Sequence, residues 1–341
     1  MSEPINPESK QPQTPLIDSF GRIHTSLRIS VTDRCNIRCT YCMPETDAVF
    51  FPKDELLSFE EIERLARLLV ERCGIRDIRL TGGEPLVRKD LPQLVRMLSG
   101  IRELKDFSLT TNGILLTEHA LALRNAGLKR LNISLDTLSE KVFQKITRRP
   151  GLQQTLDGIE QAIACKFNTI KLNALAIKGI TENEVCRLAE FASQRKLTLR
   201  FIEYMPLDTD RSWQRTDVLD GDQLLGILKK NFGTPTPIER DDPSQPAEEF
   251  LIGGNRVGII RSVSQPFCEQ CNRLRITADG AIRNCLFSND EVSLKRALRN
   301  SAGDDQLIEL FQASVRTKAA SHGIQEDGFR PPERPMYAIG G

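Results

Sequence analysis

The sequence predicts an α/β fold, with a partial (β/α)6 barrel followed by a smaller C-terminal domain that carries a β-hairpin. Two observations support this prediction. Short β-type runs alternate with segments of helical periodicity, which is typical of parallel βαβ units. The alternation repeats six times, which indicates a partial or curved barrel and not a closed barrel of eight strands. The β-type runs cover residues 27–31, 77–80, 107–109, 130–135, 169–177 and 198–202.

Helix start signals lie between these runs. Ser58 and Glu61 form a capping box before an apolar stripe, and Gly74 supplies the stop of a helix predicted over residues 58–73. Thr181 and Glu184 predict a second capping box at the start of a later helix. The signals therefore place helices on the connections between strands.

Composition changes along the chain predict its division into domains. Residues 1–20 are proline-rich and almost without apolar periodicity, so they predict a flexible extension. The α/β core is predicted over residues 21–232. A segment with four prolines and a cluster of acids follows and predicts a connector. The remaining predicted units are this connector over residues 233–249, the C-terminal domain over 250–330, and a tail over 331–341.

The bulk composition excludes several function classes. The formal net charge is only +1 with 27% charged residues, which gives no whole-chain case for binding nucleic acid or a membrane. The apolar runs are too short to span a bilayer, and residues 1–15 lack the apolar region of a secretory signal. Nine cysteines in such a chain suggest the reducing cytoplasm, where thiols serve as ligands.

Three cysteines follow the first predicted strand. Cys35, Cys39 and Cys42 have the spacing Cys-x3-Cys-x2-Cys, so a short loop can direct all three sulfurs to one place. Three thiolates would hold an iron–sulfur cube and leave one iron open to a ligand that is not protein. A zinc knuckle and three buried cysteines remain as alternatives. The run Thr-Gly-Gly-Glu-Pro at residues 81–85 follows the second strand, but such a run is also an ordinary turn.

A second group consists of Cys268, Cys271 and Cys285. Between them, residues 273–277 and 281–283 predict a hairpin, with Gly280 suited to a left-handed position. A three-residue loop over 278–280 sets Cys285 opposite Arg273, on the face that carries Cys271. A two-residue turn sets it opposite Leu274, on the other face. A structural zinc site completed by a histidine is the alternative, whereas the flanking arginines favour an anion.

Both cysteine groups, the run Leu-Arg-Ile-Ser-Val-Thr-Asp-Arg-Cys-Asn at residues 27–36 and the two final glycines closely resemble the GTP 3′,8-cyclase family. These are the molybdenum cofactor biosynthesis A proteins, members of the radical S-adenosylmethionine (SAM) superfamily. The resemblance runs from about residue 22 to the end. It implies a TIM-like barrel of the radical SAM type, two [4Fe–4S] clusters and SAM as cofactors.

The resemblance also implies a reaction. A 5′-deoxyadenosyl radical abstracts hydrogen from the ribose C3′ of GTP, the C3′ radical attacks guanine C8, and the product is 3′,8-cyclo-7,8-dihydro-GTP. This is the first step of molybdenum cofactor biosynthesis. The implied partners are GTP, an external electron donor, a cyclic pyranopterin monophosphate synthase that takes the product, and a second copy of the chain in a homodimer.

The resemblance assigns further site residues. The positions that match SAM contacts are Tyr41, Gly83, Ser134 and Met205. The positions that match GTP contacts are Arg28, Arg79, Thr110, Lys171, Arg273, Leu274 and Arg275. Gly340 and Gly341 match a tail that inserts into the active site. Two other functions remain open, namely a different radical SAM enzyme with an auxiliary cluster, such as one that modifies peptides, and a non-catalytic zinc-binding module.

Overall fold

The computed structural model describes residues 14–240 and 242–340. The predicted extension falls outside the described residues from 1 to 13, as does Gly341 of the tail. The sequence predicts residues 14–20 as part of the flexible extension, but this segment packs on the barrel. Leu16 is fully buried in the core, and the Thr14 N–H donates to the carbonyl of Arg72 at 3.0 Å. Burial of this apolar side chain offsets the cost of ordering the segment.

Six parallel strands form the centre of the fold, as the sequence predicts. Each strand pairs with the next one along the chain, and helices cover the connections. The strands are β1 (Ser26–Ser30), β2 (Asp77–Thr81), β3 (Asp106–Thr111), β4 (Arg130–Ser134), β5 (Thr169–Ala176) and β6 (Thr198–Glu203).

Of the two capping boxes that the sequence predicts, the structure contains one. The capping box at Ser58 is confirmed, since its hydroxyl accepts from the Glu61 N–H while Glu61 accepts from the Ser58 N–H. The predicted box at Thr181 is wrong, because its hydroxyl donates to Leu175 O and the Glu184 carboxylate accepts from Leu138 N–H. The helices are α1 (Phe59–Cys73), α2 (Leu91–Ser99), α3 (Leu116–Asn125), α4 (Glu140–Thr147), α5 (Leu152–Ala164), α6 (Val185–Gln194), α7 (Gly221–Phe232), α8 (Leu294–Arg299), α9 (Asp304–Arg316) and α10 (Met336–Ile339).

The C-terminal region extends the same sheet at both edges. In the described residues the sheet has twelve strands in the order β12-β11-β10-β1-β2-β3-β4-β5-β6-β9-β8-β7. The predicted connector contains one complete strand of this sheet and the start of another. Pairing of β1 and β6 with later strands satisfies backbone groups that an isolated six-stranded sheet would expose. The added strands are β7 (Thr236–Ile238), β8 (Glu248–Ile252), β9 (Asn255–Ile260), β10 (Arg273–Ile276), β11 (Ala281–Arg283) and β12 (Val292–Ser293).

The strands of the barrel alternate between an apolar face and a polar face. On β1, Leu27 and Ile29 are fully buried in the core that lies under the helices. Arg28, between them, lines the cavity inside the barrel. This period of two puts charged and polar side chains inside the barrel, where a substrate can meet them. No helix in the described part of the chain is long and apolar enough to cross a membrane.

Candidate active site

The first cysteine group lies on a compact loop at the carboxyl end of β1. The N–H groups of Cys42 and Met43 both donate to the carbonyl of Cys39 at 3.0 Å, which bends the loop back on itself. The loop is tied to α4 by the Thr40 N–H, which donates to Ile146 O at 2.9 Å. Cys35, Cys39 and Cys42 line one cavity, together with Tyr41, Gly83, Thr110, Ser134 and Met336.

The glycines after β2 allow that loop to approach the cysteine loop closely. The Gly83 N–H donates to Thr32 O at 2.7 Å. A Cβ on Gly83 would lie 2.5 Å from Arg34 O, and one on Gly82 would lie 2.7 Å from Thr32 O. Neighbouring backbone therefore requires glycine at both positions, in addition to any ligand that meets Gly83.

A buried carboxylate connects the loops after β2 and β3 to the first cysteine group. Burial raises the pKa of Glu84 to about 7, although hydrogen bonds from Asn112 N–H and Thr111 favour the carboxylate. The Asn112 side-chain amide donates to Asn36 Oδ1 at 2.7 Å and lies 3.9 Å from Cys35 Sγ. The ends of three strands thus hold the cysteine loop through neutral donors.

A second link joins the cysteine loop to β4 and β5. The Tyr41 hydroxyl donates to Asp136 Oδ2 at 2.8 Å, and Asp136 Oδ1 accepts from the Leu175 N–H at 2.8 Å. Tyr41 also lines the central cavity of the barrel, as do Ser134 and Thr110. Met205, on the loop after β6, lines the same cavity. Tyr41, Thr110 and Ser134 thus lie between the first cysteine group and the centre of the barrel, since they line both cavities.

The second cysteine group lies at the opposite end of β1. Cys268 and Cys271 precede β10, which runs parallel to β1 with Arg273 beside Ser26, the first residue of β1. Cys35 follows the other end of β1. The first and last residues of this five-residue strand are about 13 Å apart. Only the pairing of β10 with β1 shows this placement at the amino end.

The hairpin before Cys285 has the three-residue loop, one of the two loop lengths that the sequence leaves open. Arg275 pairs with Arg283, and the Thr277 N–H donates to Ala281 O at 2.9 Å, which leaves a three-residue loop over 278–280. Gly280 has a φ of 81°, in the left-handed region. Continued along the hairpin, this register sets Cys285 opposite Arg273, on the face of Cys271. The three cysteines of this group line the central cavity.

Cationic side chains surround the second group. Arg273 Nη2 and Lys318 Nζ each lie 3.5 Å from Cys271 Sγ. Burial raises the pKa of Cys271, but the charges of Arg273 and Lys318 outweigh it and bring the pKa to about 6. This thiol is therefore mostly ionised at neutral pH.

His322 lies beside the second group but has other partners. Its Nε2 lies 3.1 Å from the carbonyl of Ser262, and its Nδ1 accepts from the Ile324 N–H at 3.3 Å. Both ring nitrogens are thus engaged away from the three sulfurs. The histidine that the sequence left open as a zinc ligand does not point to the cysteines in this conformation.

The two donor sets fit iron–sulfur clusters. Each set supplies three cysteine sulfurs from short segments, and thiolates are the usual ligands of [4Fe–4S] clusters. Among the described residues, no three His, Cys, Asp or Glu side chains are placed to hold one metal ion together. The thiolates of a cube bind separate irons, so they need neighbouring positions and not convergence on one ion.

A row of arginines crosses the sheet between the two groups. Arg275, Arg28 and Arg79 occupy the same level on the neighbouring strands β10, β1 and β2. Burial and neighbouring arginines lower the pKa of Arg275 to about 9, and burial and Arg130 lower that of Arg79 to about 10. Both remain cationic at neutral pH. Like charges side by side destabilise a sheet, so the row indicates an anion site.

The basic row continues into a second cavity that joins the first. Burial and nearby arginines lower the pKa of Lys171 to about 8 and that of Arg200 to about 9. Lys171 also lies 3.9 Å from the Glu249 carboxylate. The cations that line this cavity are Arg28, Arg79, Arg130, Lys171, Arg200 and Arg273.

Leu274 is oriented differently from the other residues that the resemblance assigns to GTP binding. Its side chain is fully buried in the core, on the face opposite to Arg273 and Arg275, so that only its backbone faces the site. Arg200 is not among the residues that the sequence assigns to the site, although it is only 5% exposed and lines both cavities. A sequence pattern could have identified Arg200, because this charged residue lies between the core residues Leu199 and Phe201 on β6 and therefore faces the barrel interior. No comparable sequence pattern identifies Lys318 as a site residue.

The tail enters the barrel between the two cysteine groups. Arg275 Nη1 donates to the carbonyl of Gly340 at 2.7 Å. A Cβ on Gly340 would lie 2.5 Å from the Cβ of Ser30, and its φ is 90°. Met336, at the start of α10, lines both the first cysteine cavity and the central one. Gly341 lies outside the described residues.

Comparison with known proteins places the chain in a family. Residues 29–192 match the radical SAM superfamily, and residues 197–324 match a region described as Molybdenum Cofactor Synthesis C. A GTP 3′,8-cyclase of Rhodopirellula baltica is 59% identical over 330 residues, which are 96% of this chain and 92% of the relative. A GTP 3′,8-cyclase of Rhodococcus opacus is 43% identical over 96% of this chain and 93% of the relative.

A solved structure supports the fold. Native anSMEcpe with bound AdoMet matches with a TM-score of 0.55 and 18% identity, over 86% of this chain and 84% of that one. The family matches contain one cysteine group each, the first within 29–192 and the second within 197–324. With two cysteine groups at the two ends of one strand and close relatives over nearly its whole length, the chain belongs to the GTP 3′,8-cyclase family of the radical SAM superfamily.

Proposed function

We propose that the protein converts GTP to 3′,8-cyclo-7,8-dihydro-GTP in a SAM-dependent radical reaction, the first step of molybdenum cofactor biosynthesis. The observation that carries the proposal is the position of the arginine row. Arg275, Arg28 and Arg79 lie side by side in the barrel between the two cysteine groups. A nucleotide held there by its triphosphate reaches from one group toward the other.

The residues have separate roles in this proposal. Cys35, Cys39 and Cys42 hold one [4Fe–4S] cluster, and Cys268, Cys271 and Cys285 hold a second. When bound, the first cluster supplies the electron that cleaves SAM, and the second supplies an open iron for the purine and electrons for reduction. Tyr41, Gly83, Ser134 and Met205 position SAM.

The cationic side chains bind and orient the triphosphate. Several arginines that converge from separate strands neutralise its charge and fix its position relative to the first cysteine group. We add Arg200 to the set because it is buried and lines both cavities. The proposed GTP contacts are Arg28, Arg79, Thr110, Lys171, Arg200, Arg273, Arg275 and the backbone of Leu274. The tail closes the site at Gly340, beside Ser30.

The proposal includes partners. Reduction needs an external one-electron donor, and the product is a reactive cyclised nucleotide that a cyclic pyranopterin monophosphate synthase would take. We also propose a homodimer as the working assembly.

Anaerobic reconstitution with iron and sulfide tests the proposal. We expect about eight irons per chain, as two four-iron clusters require. Incubation with SAM, dithionite and GTP should then give 5′-deoxyadenosine and the cyclised nucleotide, both measured by liquid chromatography with mass detection. SAM cleavage without cyclised GTP would favour a different radical SAM enzyme with an auxiliary cluster. Two zinc ions per chain and no sulfide would indicate a zinc-binding module.

A further inference from the structure

A buried lysine contacts the second cysteine group. Lys318 follows α9 and is 4% exposed. Its Nζ donates to the carbonyl of Arg273 at 2.8 Å and lies 3.5 Å from Cys271 Sγ. Burial of an ammonium group is costly unless it is paired. The sulfur of Cys271 is positioned to supply the opposite charge.

Residues near the N-terminus hold the lysine in place. Arg22 Nη2 donates to the carbonyl of Ala319 at 2.7 Å, and Nη1 donates to that of Ala320 at 2.9 Å. The same guanidinium donates to the carbonyl of Cys268 at 2.8 Å and pairs with the buried carboxylate of Asp18 at 2.5 Å. One side chain therefore fixes both the loop of Lys318 and the loop of the second cysteine group.

The contact between Lys318 and Cys271 also changes the charge around the Cys271 sulfur. Arg273 Nη2 also reaches Cys271 at 3.5 Å, so two cationic donors converge on one sulfur. Hydrogen bonds and positive charge at a ligating sulfur stabilise the more negative, reduced form of a cluster and raise its reduction potential. Arg273 also lines the substrate cavity, whereas Lys318 approaches from the side of α9.

We propose that Lys318 is a positioning residue for the second cluster, where its ammonium group donates to Cys271 Sγ and raises the reduction potential of that cluster alone. This inference rests on the proposed function only in that a cluster is bound at the second cysteine group. The first group lies at the other end of β1, beyond the range of direct contact with Lys318.

The experiment compares the full-length holoenzyme with Lys318→Gln and Lys318→Arg. Glutamine keeps a neutral donor for Arg273 O, and arginine keeps the charge. An EPR-monitored redox titration follows both clusters in each protein. We expect Lys318→Gln to lower the equilibrium constant for reduction of the second cluster about tenfold, which is about 59 mV for one electron, and to leave the first cluster unchanged. Lys318→Arg should restore most of the shift.

Lys229→Gln, on the exposed surface of α7, is the matched control and should change neither potential. An unchanged second potential in Lys318→Gln, or an equal shift of both clusters, overturns the proposal. If Lys318→Gln does not load the second cluster, Lys318 is needed to assemble the cluster and does not only tune its potential, which overturns the proposal. Wild-type protein without iron would overturn the proposed function itself, which distinguishes the two failures.

Discussion

The two cysteine groups have the same number of thiols, but Cys271 of the second group has electrostatic surroundings opposite to those of Cys35 and Cys42 in the first. At the first group, burial and the charge of Glu84 raise the pKa of Cys35 to about 11, and burial and Cys35 raise that of Cys42 to about 12. The amide of Asn112 is a neutral neighbour of Cys35. At the second group, Arg273 and Lys318 bring the pKa of Cys271 to about 6.

The difference shows that burial and neighbouring cations have opposing effects on the pKa of a cysteine. The side chains around each thiol decide which effect is larger. Metal binding to the first group must displace protons from buried thiols, whereas Cys271 is largely a thiolate before a metal binds. Cations at the second group also favour an anionic substrate nearby. The first group is enclosed by the loops after β1, β2 and β3, which suits a site in which radical chemistry is protected from water.

The largest effect is expected for substitutions of the cluster cysteines, which should show that the two cysteine groups have different functions. Cys285→Ser should abolish cyclisation of GTP and leave SAM cleavage largely intact, because only the second group is damaged. Cys35→Ser should abolish both, and Cys186→Ser on α6 should retain both. Quantification of 5′-deoxyadenosine and cyclised nucleotide in the same reactions provides the measurement. Equal loss of both products in Cys285→Ser would contradict the division of roles.

A smaller effect is expected where the tail meets both sides of the site. Gly340→Ala puts a Cβ 2.5 Å from Ser30 Cβ at a positive φ, so the tail must shift and its contact with Arg275 is lost. We expect cyclisation to fall by about tenfold or more, on the basis of one charge-assisted hydrogen bond, while the iron content stays unchanged.

Gly179→Ala is the control for Gly340→Ala, since Gly179 has a φ of 79° but open space around its Cβ position. The same substitution there tests backbone strain alone. Iron analysis and the rate of cyclisation are measured for both variants. An equal loss in both would show that strain, and not the position of the tail, causes the effect.

The smallest effect concerns the neutral donor at the first group. Asn112→Ala removes an amide 3.9 Å from Cys35 Sγ. The contact is long and uncharged, so we expect the equilibrium constant for reduction of the first cluster to fall only about twofold, less than for Lys318→Gln at the second. EPR redox titration measures both, with the exposed Asn300→Ala as control. A larger shift for Asn112 than for Lys318 would reverse the electrostatic comparison.

Much of the fold and part of the site follow from local sequence patterns. Alternation of apolar and polar residues predicts the six strands, and the capping box at Ser58 predicts the start of α1. Gly280 predicts the turn of the hairpin, but it fits both a two-residue and a three-residue loop, so only the observed strand pairing decided the face of Cys285. Thr181 shows the limit of such signals, because carbonyls and N–H groups from other segments took the place of the predicted local bonds.

The sequence by itself determined which residues can act as ligands and which face of each strand they occupy, since both depend on spacing and on the period of two along a strand. Only the tertiary structure decided where these faces meet. Pairing of β10 with β1 puts the second cysteine group at the amino end of the barrel and aligns Arg275 with Arg28 and Arg79. Packing of the segment after α9 brings Lys318 to Cys271, 47 residues away in the chain. Such contacts depend on the pairing of distant segments, which no local pattern encodes.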